Sequence, residues 1–115
     1  MFSDKTKSYF ISESKDEFLK TFGKRNQLIK KFSFGEVIFL KKEDSLHAVK
    51  NKCPHQGASL KGCSVKDGKV ICPVHNYGFD LETGRGSGLY LPIYELEENQ
   101  DGFFLKRTYF SWFGE

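Results

Sequence analysis

No stretch of this sequence stays apolar over anything near the length that a membrane crossing requires. Its first residues, "MFSDKTKSYF", carry charges where a secretory leader would need an unbroken apolar segment. Neither a membrane span nor a leader is therefore expected. Cysteine is scarce and odd in number, with three in the chain, which excludes a disulfide framework as the main support of the fold. Reducing compartments use such small sets for metal binding or catalysis, so a cytoplasmic location is the expectation. Massed charge of one sign is also missing. A formal net charge of +3 with scattered basic residues is too little to argue for nucleic acid.

What is present is aromatic. Twelve Phe and five Tyr can drive a core by burial alone, and 115 residues make one expected domain, 1–115, too short for a second catalytic domain. Charge is uneven along that domain. Residues 1–62 hold thirteen Lys and Arg against seven Asp and Glu, about +6, while the remainder holds five against eight, about −3.

The local patterning is mostly β. One short helix is predicted near the start, where "SKDEFLKTFG" offers Ser14 and Glu17 as a capping box, Phe18 and Phe22 on one face and Gly23 as a stop. Beyond it, "QLIKKFSF", "EVIFLKK" and "LHAVK" are short runs with turn signals at Phe34-Gly35 and Glu43-Asp44-Ser45, as antiparallel strands require. "SVKDGKVI" reads as a hairpin around Asp67-Gly68 that delivers the chain to Cys72. Then follow "YGFDL", a turn at Glu82-Thr83-Gly84, the Gly-rich "GRGSG", and strands "PIYELEE" and "FFLKRTYF". Seven or so strands at this spacing predict an all-β sandwich or barrel.

The chemistry concentrates in two loops. "NKCPHQGASL" sets Cys53 and His55 one residue apart; "CPVHNYGFDLETG" sets Cys72 and His75 two apart, with sixteen residues between His55 and Cys72. A hairpin at Asp67-Gly68 would bring the loops together, and a metal site follows. Cys₂His₂ is also a familiar zinc set, but zinc fingers usually keep the cysteines in one element and the histidines in another. Here each loop mixes a thiolate with an imidazole, which favours a binuclear centre in which each loop sends its cysteine to one metal and its histidine to the other.

C-x-H-x16-C-x2-H, with Pro54, Gly57, Pro73 and the trailing "FDLETG", resembles the signature of Rieske-type [2Fe-2S] proteins, over roughly residues 28–108. The N-terminal segment and the aromatic tail "YFSWFGE" are not matched. The resemblance implies one [2Fe-2S] cluster per chain, with Cys53 and Cys72 on the inner iron and His55 and His75 on the outer, exposed one. It also implies an antiparallel Rieske-like fold with a cluster-binding part at about 51–84. With two thiolates and neutral imidazoles the oxidised site is electrically neutral, whereas four thiolates would leave a dianion. An electron enters the neutral site against less repulsion, which raises the potential into roughly −150 to +300 mV.

Departures from the high-potential members of that family narrow the reading. They carry two further cysteines, paired as a disulfide, at the positions of Ala58 and Val74, and serine and tyrosine hydroxyls at those of Tyr77 and Phe79. A phenyl ring donates no hydrogen bond to a sulfur. Both changes resemble the low-potential, oxygenase-associated type, in which Asn76 and Val74 stand where glycine and tryptophan are frequent. Gly57, Ala58 and Ser59 are small enough to let backbone N–H groups approach sulfides. Cys63 belongs to no ligand spacing and reads as a bystander thiol, His47 as a strand residue, and Asp80 and Thr83-Gly84 as a turn supporting the second loop.

The resemblance implies a soluble one-electron carrier, itself no enzyme, that takes electrons from a flavin-containing reductase and passes them to a terminal oxygenase or similar acceptor. A monomer without membrane or nucleic-acid partners is expected. Lys50, Lys52 and Lys61 flank the first loop and could steer an acidic partner, although solvated lysines are the plainer account. Two other readings stay open: a small Rieske subunit of a larger oxidoreductase such as a nitrite reductase, and a zinc-bound structural module. The missing hydroxyl and disulfide predict a midpoint potential below about 0 mV. Electrochemical titration checks this, and a clearly positive midpoint would contradict it.

Overall fold

The computed structural model describes residues 2–43, 45–55, 57–74 and 76–112, with side chains from residue 6 to residue 108. Eleven strands and one short helix lie among them, so the all-β expectation holds and the strand count exceeds it. The additional strands are a long N-terminal one and a two-residue pair in the Gly-rich stretch. The chain divides into two compact units, residues 1–23 with 94–115, and residues 24–93.

In the first unit, strand β1 (Phe2–Ser12) pairs antiparallel with β11 (Gly102–Trp112), from Phe2 opposite Trp112 to Ser12 opposite Phe103. The N-terminal segment and the aromatic tail, unassigned from sequence, are thus partners of each other. β10 (Ile93–Asn99) pairs along the first half of β11, from Glu95 opposite Lys106 to Asn99 opposite Gly102. The predicted helix is α1 (Lys15–Lys20): the Ser14 hydroxyl accepts the Glu17 N–H at 3.1 Å, and the Lys15 N–H reaches the Glu98 carboxylate at 2.9 Å. These bonds satisfy two of the N–H groups that a helix start leaves open. Phe18 and Phe22 then turn inward, and Phe18 packs against Phe22 and Phe103 with ring centroids 5.4 and 5.8 Å away.

The second unit begins with a three-stranded meander, β2 (Gln27–Phe32), β3 (Gly35–Lys42) and β4 (Ser45–Lys50), in the order 2-3-4. β3 is the middle strand, and its run Val37–Leu40 is buried on both faces, which explains four consecutive apolar residues where an edge strand would alternate. Asp44, in the β3–β4 turn, lies outside the described residues.

A smaller sheet follows, made of β5 (Ser64–Lys66), β6 (Lys69–Ile71) and β7 (Gly78–Asp80). The predicted hairpin at Asp67-Gly68 is present, with φ of 54° and 74°, the paired left-handed conformation that matches strand twist in two-residue turns. The Gly-rich "GRGSG" is a second hairpin, β8 (Arg85–Gly86) and β9 (Leu89–Tyr90), around Ser87 and Gly88 at φ 53° and 76°.

The core of this unit joins Ile38, Leu40, Val49, Leu60, Val70 and Phe79 to the three cysteines. Behind the second loop, the Asp80 carboxylate accepts the Glu82 and Thr83 N–H groups at 2.7 and 3.0 Å, which hold it below the usual carboxylate range. This is the supporting turn expected there. No helix among the described residues is long and apolar enough to cross a membrane.

Gly86 lies so close to β7 that a Cβ would run into the Gly78 carbonyl, whereas Gly88 faces open space. Gly86→Ala is expected to lower the unfolding free energy by about 1–3 kcal/mol or more through overpacking. Gly88→Ala should lose only the left-handed penalty, about 1–2 kcal/mol. Urea midpoints of the two variants check the order.

Candidate metal centre

Both cysteine loops are built on one plan. The first connects β4 to β5 and the second connects β6 to β7. The Cys53 N–H donates to the Ala58 carbonyl at 2.7 Å, and the Cys72 N–H donates to the Tyr77 carbonyl at 2.7 Å. In each case the cysteine closes a six-residue loop onto itself. The residue before the closing carbonyl is left-handed in both, Gly57 at φ 74° and Asn76 at φ 56°. Asn is among the few non-glycine residues that take this conformation readily, so Asn76 keeps the backbone path that glycine would follow. Proline follows the cysteine in both loops and restricts its entry.

A buried asparagine anchors the first loop. Asn51 is 8% exposed, and its side-chain oxygen accepts the Leu60 N–H at 2.8 Å and the Ser59 hydroxyl at 3.1 Å. Its amide nitrogen donates to the Glu36 carboxylate at 3.1 Å, and its backbone N–H donates to the Glu36 carbonyl at 2.9 Å. Sequence reading assigned neither residue a role. Asn51 could have been suspected from its place two residues before Cys53; Glu36 could not, because only the β3–β4 pairing brings it near. Lys52 covers the loop's other side, its Cε lying 3.3 Å from where a Cβ on Gly57 would stand.

The donors divide by depth. Cys53 and Cys72 are 2% and 0% exposed and belong to one core cluster. Burial pushes the Cys72 thiol up, the Cys53 thiol beside it adds to this, and a hydrogen bond from the Val74 backbone opposes both. Binding a metal there must therefore expel a proton held more tightly than on a free thiol. His55 is exposed, and its ring meets that of Tyr77 edge-on, with centroids 4.3 Å apart and planes at 83°. His75 lies outside the described residues.

Among the described residues, no three His, Cys, Asp or Glu side chains gather about one metal-ion position. Two thiols stand inside and an imidazole outside, a soft sulfur pair and a nitrogen donor at different depths. That donor chemistry fits a sulfide-bridged iron pair ligated unequally at its two ends.

Cys63 is buried beside this group but takes no part in either loop. Its thiol is pushed up to about 11, chiefly by burial and further by neighbouring Cys72, so it stays protonated near neutral pH. Cys53, Cys63 and Cys72 are all free of disulfides.

A mixed-ligand metal centre carried by two matched loops on an antiparallel β scaffold is the class that fold and donors define. The model of the Rieske [2Fe-2S] domain family matches residues 12–92, and the chain belongs to that family, whose domains bind a [2Fe-2S] cluster. Over 52 residues, 44% of this chain and 43% of the relative, it is 42% identical to the ferredoxin component of the alkene monooxygenase system of Xanthobacter autotrophicus. The chain spans under half the length of the curated relatives it matches.

Two solved structures share the fold. The ferredoxin of carbazole 1,9a-dioxygenase from Nocardioides aromaticivorans IC177 matches at TM-score 0.63 and 22% identity, covering 76% of this chain and 89% of that one. An NADH-dependent nitrite reductase small subunit from Mycobacterium tuberculosis matches at TM-score 0.61 and 20% identity, covering 93% and 96%.

If the left-handed turn at residue 76 sets the second loop, Asn76→Gly should leave stability and cluster content unchanged. Asn76→Val should cost about 1–2 kcal/mol. Thermal unfolding with iron analysis of both variants checks this.

Proposed function

We propose that Cys53 and Cys72 hold one iron of a [2Fe-2S] cluster, that His55 and His75 hold the other, and that the chain works as a one-electron carrier rather than as an enzyme. The observation that carries this is the pairing of the two buried thiols on matched, self-closed loops, with an exposed imidazole on the same loop as one of them. When bound, the cluster accepts and releases single electrons in the range that histidine ligation permits.

The chain's own residues would supply the rest. Burial of Cys53 and Cys72 keeps water from the sulfur side, where charge would otherwise be solvated. Tyr77 holds the His55 ring at a fixed inclination, and exposure of that ring makes it the side on which a partner would exchange electrons. Asn51, through Glu36 and the Leu60 N–H, fixes the far end of the first loop against β3. A protein that only relays electrons needs this rigidity, because small displacement between redox states keeps reorganisation low.

The donor would be a flavin-containing reductase and the acceptor a terminal oxygenase or a related enzyme. The relatives named above are ferredoxins of an alkene monooxygenase system and of carbazole 1,9a-dioxygenase, which supports an oxygenase as acceptor. Three free cysteines suit a reducing, cytoplasmic setting. A second reading is favoured by the nearly full mutual coverage with the nitrite reductase small subunit: a Rieske subunit held permanently to a larger chain.

Anaerobically prepared protein should contain iron and acid-labile sulfide in equal amounts, be brown, and after dithionite reduction give an electron paramagnetic resonance spectrum with the low average g of mixed nitrogen and sulfur ligation. Replacing either histidine by cysteine (His55→Cys, His75→Cys) should raise that average. A colourless zinc protein would overturn the assignment. Recovery of a tagged chain from its native cell as a free monomer is the result expected of a carrier, and constant co-purification with one large chain would establish the subunit reading instead.

A further inference from the structure

An open groove of about 620 Å³ lies in the second unit, between the start of β2 and the turn that leaves the first cysteine loop. Arg25, Leu28 and Ile29 form one wall, and Lys61 and Gly62 form the other. The Gln27 side chain ties the walls together: its oxygen accepts the Gly62 N–H at 2.9 Å and its nitrogen donates to the Cys63 carbonyl. The wall at Gly62 continues directly from Leu60, whose N–H Asn51 holds. The groove is therefore braced and continuous with the metal-binding loop.

Its chemistry is one-signed. Among the described residues, no carboxylate lines it. Residues 24–31 carry Lys24, Arg25, Lys30 and Lys31 with no Asp or Glu, and residues 45–62 carry Lys50, Lys52 and Lys61 with none. The floor is aliphatic, with Ile29 37% exposed, and among the described residues Lys61 enters no ion pair. A nucleic-acid groove would offer aromatic faces for base stacking, and this one has none. An apolar floor rimmed by cations matches a protein surface that presents carboxylates around an apolar side chain.

We propose that this groove is the docking site for the acidic face of a protein redox partner, whose carboxylates meet Lys61 and Arg25 while an apolar side chain seats on Leu28 and Ile29. The proposal rests on the carrier reading and adds the partner's charge and the place where it binds. Docking there would bring the partner against the exit of the first cysteine loop.

The test uses the cluster-loaded full chain with a fully reduced acidic flavodoxin as probe, in which one electron leaves the flavin and enters the oxidised cluster. At low salt, Lys61→Glu should slow this transfer about tenfold and Ile29→Gln several-fold, while Lys66→Glu, an equal charge change away from the groove, should slow it less than about twofold. Carbodiimide coupling of wild-type chain and flavodoxin should join flavodoxin carboxylates to Lys61. Equal slowing by Lys61→Glu and Lys66→Glu, no slowing by either, or couplings absent or confined to other lysines would overturn the groove. Dithionite reduction of the wild type separates the two readings. Failure to take up that electron defeats the carrier, whereas the coupling map reports on the groove whether or not the cluster is reduced.

Discussion

Two backbone hydrogen bonds govern this molecule's chemistry: Cys53 N–H to the Ala58 carbonyl and Cys72 N–H to the Tyr77 carbonyl, each at 2.7 Å. Each bond makes a cysteine the hinge pin of a short loop: both cysteines are buried in the core, while His55 in the first loop is exposed. A ligand loop without such closure would pay the entropy of ordering several residues each time metal bound. Closure before binding removes that cost. It also explains the demands on sequence inside the loops, because the closure takes a left-handed residue, which Gly57 and Asn76 provide among the described residues.

The depth difference between donors follows from the same closure. Cys53 and Cys72 belong to the apolar core, where an uncompensated thiolate would be costly, as the raised Cys72 thiol indicates. Bound iron would supply the compensation, so that the core and the metal would stabilise each other. His55 is exposed, with the Tyr77 ring edge-on against it. A neutral imidazole can remain near water at little cost, and histidine on the outer side therefore needs no special burial.

Features whose residues are close in sequence were legible. The Asp67-Gly68 hairpin and the Ser14 cap each declare themselves within a few positions, and both are present in the structure. What escaped depends on distant pairing. β1 reads as polar because Ser3, Asp4, Lys5 and Lys7 interrupt any apolar alternation, and its partner β11 begins ninety residues after it ends. Glu36 looks like an ordinary surface acid until β3 and β4 align it with Asn51. Gln27 is equally silent in sequence, since its contacts with Gly62 and Cys63 lie thirty-five and thirty-six residues away. The hairpin at Ser87-Gly88 was missed for a different reason: strands of two residues are too short to show any period.

Cys63 shows why a buried cysteine near a metal centre is not thereby a ligand. It shares the core with Cys53 and Cys72 and has similar exposure, 5% against 2% and 0%. Its backbone, however, is committed otherwise, with the N–H bonded to the Leu60 carbonyl at 2.9 Å and the carbonyl taken by Gln27. Its thiol is pushed up to about 11, chiefly by burial. Burial alone makes a cysteine inert. A loop closed by its own cysteine N–H distinguishes Cys53 and Cys72 from Cys63, and the first of these loops carries an exposed His55.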